Sequence, residues 1–139
     1  MSASRVLVVD DNALNVELVA FVLEAGGFVV ASAVDATAAI EQIGEFRPDL
    51  ILMDIQLPGM DGLAATALLK QDPLTAAIPV IALTAMAMKE DREKTKVAGC
   101  DAYIAKPLRY QELYAAIDAL LPGSETPSGS GAAPWQRAS

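Results

Sequence analysis

Three aspartates in the sequence have neighbours that suit them to hold a hard divalent cation. Asp10 and Asp11 directly follow one short apolar run, and Asp54 directly follows another. Brought into one crevice, three carboxylates repel each other and any incoming anion unless a cation lies between them. Mg²⁺ prefers carboxylate, carbonyl and water oxygens, and it bridges readily to phosphoryl oxygens. The three aspartates therefore predict a magnesium site that can accept a phosphoryl group.

Two further polar side chains occupy comparable positions after apolar runs. Thr84 follows the run Pro79–Leu83, and Lys106, with Pro107 next to it, follows the run Ala102–Ala105. A hydroxyl can donate a hydrogen bond to an anionic oxygen, and an ammonium group can pair with one. Together, Mg²⁺ and Lys106 would balance the charge of the three carboxylates and leave the site able to take a phosphoryl group.

The elements that must position these residues alternate along the chain. Apolar, β-branched runs predict strands, and apolar residues at helical spacing predict helices between them. The predicted strands are 5–9, 28–33, 50–53, 79–83 and 102–105, and the predicted helices are 13–25, a segment capped by Asp35, 63–70, 89–98 and 110–121. This alternation predicts an α/β fold in three layers, a doubly wound (βα)5 domain with a five-stranded parallel sheet. Ligands bind at the carboxyl ends of such strands, where all the polar residues named above fall.

Composition narrows the class of protein. The chain has a formal charge of −8, no His and one Cys, which excludes His metal ligands, phosphohistidine on this chain, an internal disulfide and a Cys-based zinc site. Binding to nucleic acids or to anionic membranes requires a basic protein surface. Because this chain is acidic, we expect neither as a partner. We expect a cytoplasmic protein with one domain over residues 1–122 and a disordered Gly/Ser/Pro-rich tail over 123–139. Cys100 follows Gly99 beside a strand and is predicted to be a packing residue.

Four motifs, taken in order, resemble the response-regulator receiver family, which has the CheY-like fold. They are Val9-Asp10-Asp11-Asn12, Leu52 to Gly62 around Asp54, Ala82-Leu83-Thr84-Ala85 and Ala105-Lys106-Pro107-Leu108. The resemblance covers about Arg5 to Leu121, and it implies a flavodoxin-like strand order of 2-1-3-4-5. Further residues resemble DivK-like single-domain receivers and the receivers of hybrid histidine kinases.

The resemblance also implies a role for each site residue. Asp54 would be the phosphoacceptor, which takes a phosphoryl group from a phosphohistidine on a histidine kinase or a histidine phosphotransfer protein. Asp10, Asp11, Asp54 and the backbone carbonyl of Gln56 would hold Mg²⁺, for which Mn²⁺ could substitute. Thr84 and Lys106 would contact the phosphoryl oxygens, and the Lys106–Pro107 bond would be cis. The chain would then be a signalling phosphoacceptor rather than an enzyme, catalysing only its own phosphorylation and dephosphorylation.

A switch and two partner surfaces follow from the same resemblance. Phosphorylation would draw Thr84 toward the phosphoryl group and turn Tyr103 inward, which changes the surface of the fourth helix, fifth strand and fifth helix. The alternative for Tyr103 is a half-buried ring on an edge strand. Candidate contacts for the phosphodonor and for a downstream protein target are Leu14, Asn15, Leu18, Met88, Leu108 and Tyr110, the leucines competing with plain core packing.

Other functions remain open beside a stand-alone receiver. The domain could be one module of a larger hybrid histidine kinase, or a pseudo-receiver that acts as a scaffold without phosphorylation. A haloacid-dehalogenase-like phosphatase is disfavoured because it needs Asp-x-Asp after its first strand, whereas here the candidate nucleophile Asp54 follows the third strand and Gln56 replaces the second Asp. A flavodoxin is disfavoured because Asp10 and Asp11 would repel a flavin phosphate. A transcription factor is disfavoured because nothing after Leu121 resembles a DNA-binding output domain.

Overall fold

A five-stranded parallel sheet forms the centre of the computed structural model, which describes residues 4–57, 59, 62–84, 89–105 and 109–121. The strands are β1 Arg5–Val9, β2 Val29–Ala33, β3 Leu50–Asp54, β4 Val80–Thr84 and β5 Ala102–Ala105. The helices are α1 Ala13–Ala25, α2 Ala36–Phe46, α3 Gly62–Gln71, α4 Lys89–Ala98 and α5 Tyr110–Leu120. The order across the sheet is β2-β1-β3-β4-β5 with every pair parallel. The predicted fold class and strand order are confirmed.

The three central strands are apolar and buried on both faces of the sheet. Alternate residues point to opposite layers, so that Leu7 and Val9 join one core while Val6 and Val8 join the other. The first core packs under α2 and α3, and the second packs under α1 and α5. This explains why β1, β3 and β4 read as continuous apolar runs rather than as alternating ones.

Two helices begin at side-chain caps, of which the cap at Asp35 confirms a prediction from the sequence. The side chain of Asn12 accepts hydrogen bonds from the backbone N–H groups of Leu14 and Asn15, and the carboxylate of Asp35 accepts one from Ala38. These bonds satisfy N–H groups that have no partner within the helix. α2 ends at Phe46, and the next residue, Arg47, has a left-handed φ of 52° immediately before Pro48.

The apolar residues of α1 lie on two faces of the helix, of which only one is buried. Leu14, Leu18 and Phe21 are 63%, 57% and 73% exposed, whereas the buried residues of this helix are Val19 and Leu23. Apolar residues occur around most of the circumference of α1, so periodicity alone selects either of two stripes. The sheet covers the stripe that contains Val19 and Leu23, which leaves the other stripe at the surface.

Two contacts fasten helices to elements distant in sequence. The ammonium group of Lys70 in α3 donates hydrogen bonds to the carbonyls of Ala76 and Ile78 and to the carboxylate of Asp101. The hydroxyl of Tyr114 in α5 donates to the carbonyl of Val22 near the end of α1. No helix within the described part of the chain is long and apolar enough to cross a membrane.

Candidate functional site

The central strands deliver their last residues to one edge of the sheet. Asp54 ends β3 and Thr84 ends β4, while Asp10 follows β1 directly. The register pairs Val9 with Met53 and Asp54 with Leu83, so β1, β3 and β4 end at nearly the same level. Asp10, Asp54 and Thr84 are 2%, 3% and 1% exposed, which is unusual for polar side chains at a strand end.

The three aspartates form a single carboxylate cluster. Asp10, Asp11 and Asp54 each offer an oxygen, and these oxygens lie within 4.8 Å of one another. Asp11 is exposed, so the cluster opens to solvent on the side of that residue. Carboxylate oxygens at this separation are a donor set that suits a hard divalent cation such as Mg²⁺. The residues present therefore fit the metal that the sequence predicts.

The same backbone geometry orients the two buried carboxylates. Oδ1 of Asp10 accepts a hydrogen bond of 2.9 Å from the backbone N–H of Asn12. Oδ1 of Asp54 accepts one of 2.9 Å from the backbone N–H of Gln56. In each case the bond fixes the side chain against the chain segment that leaves the strand.

Gly62 at the start of α3 lies directly against the backbone of the central aspartate. Its N–H donates a 2.9 Å hydrogen bond to the carbonyl of Ile55. A Cβ at this position would lie 2.2 Å from the carbonyl oxygen of Asp54 and 2.8 Å from Cα of Ile55. Glycine is thus the residue that lets α3 begin so close to the site.

Tyr103 is buried in the core although its strand, β5, lies at the edge of the sheet. It is 2% exposed and belongs to the core under α2 and α3, together with Ala82, its register partner on β4. The alternative of a half-buried ring is therefore wrong in its burial, although β5 is an edge strand of the sheet. Its role as a switch stays a prediction.

Several predicted site residues lie outside the described residues, namely Lys106, Met88 and Leu108. The predicted cis bond between Lys106 and Pro107 and the predicted tail over 123–139 also lie outside them. Gln56 is described and exposed, and its backbone N–H faces Asp54 as given above. The use of its carbonyl as a metal ligand stays a prediction.

The candidate partner residues of α1 are at the surface, so plain core packing does not account for Leu14 and Leu18. Asn15 is half-buried beside them, and Tyr110 at the start of α5 is 54% exposed. Phe21, which is 73% exposed, extends the α1 stripe by one turn and was not among the predicted partner residues. Its spacing of seven and three residues from Leu14 and Leu18 was the signal that places it on the same face.

Cys100 is a packing residue, as predicted. Its thiol is buried and lies 3.9 Å from Oγ1 of Thr66. Burial raises the pKa of the Cys100 thiol to about 11, because the charged thiolate would lose its hydration. A thiol with that pKa stays protonated at neutral pH.

Comparison with known proteins identifies the family to which the chain is similar. Residues 6–118 match the family model of the response regulator receiver domain. The chain is 48% identical to the polar-differentiation response regulator DivK of Brucella anthropi over 103 residues, which are 74% of this chain and 84% of that protein. It is 46% identical over 119 residues to the phosphate regulon transcriptional regulatory protein PhoB of Klebsiella pneumoniae, covering 86% of this chain and 52% of PhoB. The chain thus spans about half the length of PhoB.

Solved structures agree with the sequence relatives. The receiver domain of a sensor histidine kinase of Pseudomonas aeruginosa, which has a magnesium ion coordinated in its active-site cleft, is 34% identical with a TM-score of 0.77, covering 84% of this chain and 96% of that one. The signal receiver domain of a histidine kinase of Syntrophus aciditrophicus is 32% identical with a TM-score of 0.81, covering 87% of this chain and 92% of that one. With the matching family model, the DivK relative and the shared strand order, the chain belongs to the response regulator receiver domain family of two-component signalling.

Proposed function

We propose that this domain is a phosphoacceptor in which Asp54 receives a phosphoryl group from a phosphohistidine on a partner protein. The observation that carries the proposal is the carboxylate cluster, in which oxygens of Asp10, Asp11 and Asp54 lie within 4.8 Å of one another. Membership of the receiver family supports a histidine kinase or histidine phosphotransfer protein as the donor.

Asp10, Asp11 and Asp54 would hold Mg²⁺, with Mn²⁺ as a substitute, and the carbonyl of Gln56 would add a backbone ligand. A bound Mg²⁺ supplies positive charge that neutralises the transferring phosphoryl oxygens. The magnesium in the receiver of the Pseudomonas aeruginosa kinase supports the choice of metal. The burial of Asp10 and Asp54 strengthens any such charge pairing, because water screens it less.

The transfer step involves one bond formed and one broken. A carboxylate oxygen of Asp54 attacks phosphorus, the P–N bond of the donor phosphohistidine breaks, and the imidazole nitrogen leaves with the bonding electron pair. The product on this chain is an acyl phosphate. Thr84 and Lys106 would donate hydrogen bonds to the phosphoryl oxygens, and the hydrogen bond from Gln56 N–H to Asp54 holds the nucleophile in one orientation.

The exposed stripe of α1 is the surface we assign to the donor protein. Leu14, Leu18 and Phe21 follow one another on one face of the helix, and α1 begins three residues after Asp10. An apolar stripe of this kind packs well against helices of a partner. The surface of α4, β5 and α5, which includes Tyr110, would be the output surface. Thr84 and the buried Tyr103 would transmit phosphorylation of Asp54 to it.

The test is incubation of the chain with Mg²⁺ and a small-molecule phosphodonor, followed by intact mass measurement. We expect a Mg²⁺-dependent gain of one phosphoryl group in the parent and none in Asp54→Asn. Asp35→Asn is the matched control, because Asp35 also follows a strand but caps α2 instead of joining the cluster. Its labelling should equal that of the parent.

A different result would favour the second reading of the domain, a scaffold that works without phosphorylation. That reading requires no phosphoryl gain in the parent and no effect of Mg²⁺ on the protein. Labelling that persists in Asp54→Asn would contradict Asp54 as the acceptor while leaving the family assignment unchanged.

A further inference from the structure

An apolar groove lies at the edge of the sheet opposite the carboxylate cluster. It is enclosed by the end of α2, the end of α3 and the loop that leads into β4, and its volume is about 710 Å³. These segments precede β3 and β4, so the groove lies at the amino ends of the strands. A groove of this size is within the range that holds small ligands or a few side chains of a peptide.

The groove gathers large apolar side chains that the fold does not cover. Ile40, Leu68 and Leu74 line it and are 41%, 46% and 88% exposed. An apolar patch of adjacent large side chains usually marks a surface that another group covers.

The loop that carries Leu74 is held in place without an occupant. The N–H of Leu74 donates to Oδ1 of Asp72 at 2.9 Å, and the hydroxyl of Thr75 donates to the carbonyl of Leu69 at 2.6 Å. Lys70 fastens the following residues through the carbonyls of Ala76 and Ile78. The groove is therefore preformed, and filling it costs little ordering of the loop.

Charges at the groove narrow the chemistry of its occupant. Arg47 and Asp72 both line it beside the apolar residues. A guanidinium group is attracted to the face of an aromatic ring, most strongly to that of Trp, and a carboxylate pairs with a cation. The best-matched occupant is a short segment that has an aromatic ring close to a positive charge.

We propose that this occupant is residues 132–137 of the same chain, Ala-Ala-Pro-Trp-Gln-Arg. Between residue 122 and residue 139, Trp135 is the one large apolar side chain, and Arg137 is the one basic residue. Trp135 would enter the apolar part of the groove beside Arg47, and Arg137 would pair with Asp72. This proposal is independent of phosphorylation at Asp54.

The connecting segment is long enough for this docking. α5 follows β5 and ends at Leu120, and the contact of Tyr114 with Val22 near the end of α1 fixes its direction toward the amino edge of the sheet. Thirteen residues lie between Leu121 and Trp135, and the fourteen Cα-to-Cα steps that join the two reach at most about 46 Å when extended. A Gly- and Ser-rich segment of this length spans about 20 Å on average, which matches a path around the edge of a three-layer domain. Because the contact is intramolecular, a weak interaction suffices to populate it.

The test uses the fluorescence of Trp135, which is the single tryptophan of the chain. In the intact parent we expect blue-shifted emission and protection from acrylamide quenching, compared with a synthetic peptide of residues 122–139. Leu74→Glu places a charge in the groove at a side chain that is 88% exposed, so the fold should tolerate it. This variant should lose the blue shift and the protection, and its values should reach those of the peptide.

Phe21→Glu is the matched control, because Phe21 is 73% exposed and lies in the other helical layer. It should leave the Trp135 signal unchanged. The proposal is overturned if the parent is quenched like the peptide, or if Phe21→Glu rather than Leu74→Glu releases Trp135, since the ring would then dock on α1. Protection that disappears on dilution, with a dimer seen by sedimentation, would also overturn it by assigning the groove to the tail of a second copy.

Discussion

Asp10 and Asp54 illustrate how a local hydrogen bond prepares a residue for chemistry. Each carboxylate accepts a bond from the N–H two residues further along, at the point where its strand ends. The orientation is therefore set before any metal or phosphoryl group arrives. This arrangement follows from residue type and strand ends, which is why the sequence was sufficient to predict that the three carboxylates meet.

At the scale of a single residue, the buried thiol of Cys100 makes stability depend on alkaline pH. Its pKa is about 11 in the folded chain against an ordinary value of 9.0, so the unfolded chain releases the thiol proton first as pH rises. The stabilisation is complete below pH 9 and decreases toward pH 11. Between pH 8 and pH 10 the parent should lose about 1 kcal/mol more free energy of unfolding than Cys100→Ser, measured by urea denaturation. Equal losses in the two proteins would contradict the burial of an ionisable thiol at this position.

At the scale of elements, Lys70 joins three segments of the chain through hydrogen bonds. Its ammonium group bonds two carbonyls of the loop before β4 and the carboxylate of Asp101 before β5. Lys70→Met leaves these acceptors with less favourable partners, and we expect a loss of about 1–3 kcal/mol in the free energy of unfolding. Lys94→Met, at an exposed position of α4, is the control and should change stability little. A similar loss in both variants would show that the bonds to Lys70 are not the cause.

The exposed stripe of α1 leads to a prediction on recognition. Given a donor protein that phosphorylates the parent, Leu18→Glu should lower the rate of that phosphorylation about tenfold. This is the effect expected from the loss of one buried leucine contact. Phosphorylation by a small-molecule donor should stay unchanged, because Leu18 is not among the carboxylates. Leu74→Glu, at the opposite edge of the domain, should leave both rates unchanged. A parallel decrease with both donors would indicate damage to the site instead of to docking.

The buried face of α1 could not be predicted from the sequence, whereas those of other helices could. α2 and α5 each have one apolar stripe, in which Ile43 and Ile117 are buried, although Ile40 of α2 is 41% exposed. α1 has two candidate stripes, and only its contact with the sheet decides between them. Element boundaries were predicted to within about one residue for the strands, because Gly, Pro and Asp mark their ends.

At the scale of the whole molecule, metal binding should be visible as stability. A cation that binds the folded cluster and not the unfolded chain raises the free energy of unfolding, by about 2.7 kcal/mol at a concentration 100 times its dissociation constant. We expect Mg²⁺ to raise the denaturation midpoint of the parent, and EDTA to reverse the effect. Asp10→Asn should reduce the Mg²⁺ effect strongly, and Asp35→Asn should retain it. An identical response in all three proteins would indicate general ionic screening.

The topology of the sheet was predictable from the sequence because the pattern of the strands and the pattern of the helices require the same fold. Continuous apolar runs in β1, β3 and β4 require cover on both faces, and the intervening helices supply it. The depth of Tyr103 in the core was harder to predict, since β5 is an edge strand and only three-dimensional packing shows that the ring joins the core under α2 and α3. The groove beside Leu74 likewise depends on a loop conformation that the sequence does not specify.

Gly62 has a consequence for protein engineering. Any larger residue would meet the carbonyl oxygen of Asp54 and Cα of Ile55, both of which are backbone atoms that cannot move aside as a side chain would. Libraries that vary the turn after Ile55 in order to retune this domain should therefore keep position 62 constant. In sensors or grafted receivers built on this scaffold, α3 therefore has to start from that glycine.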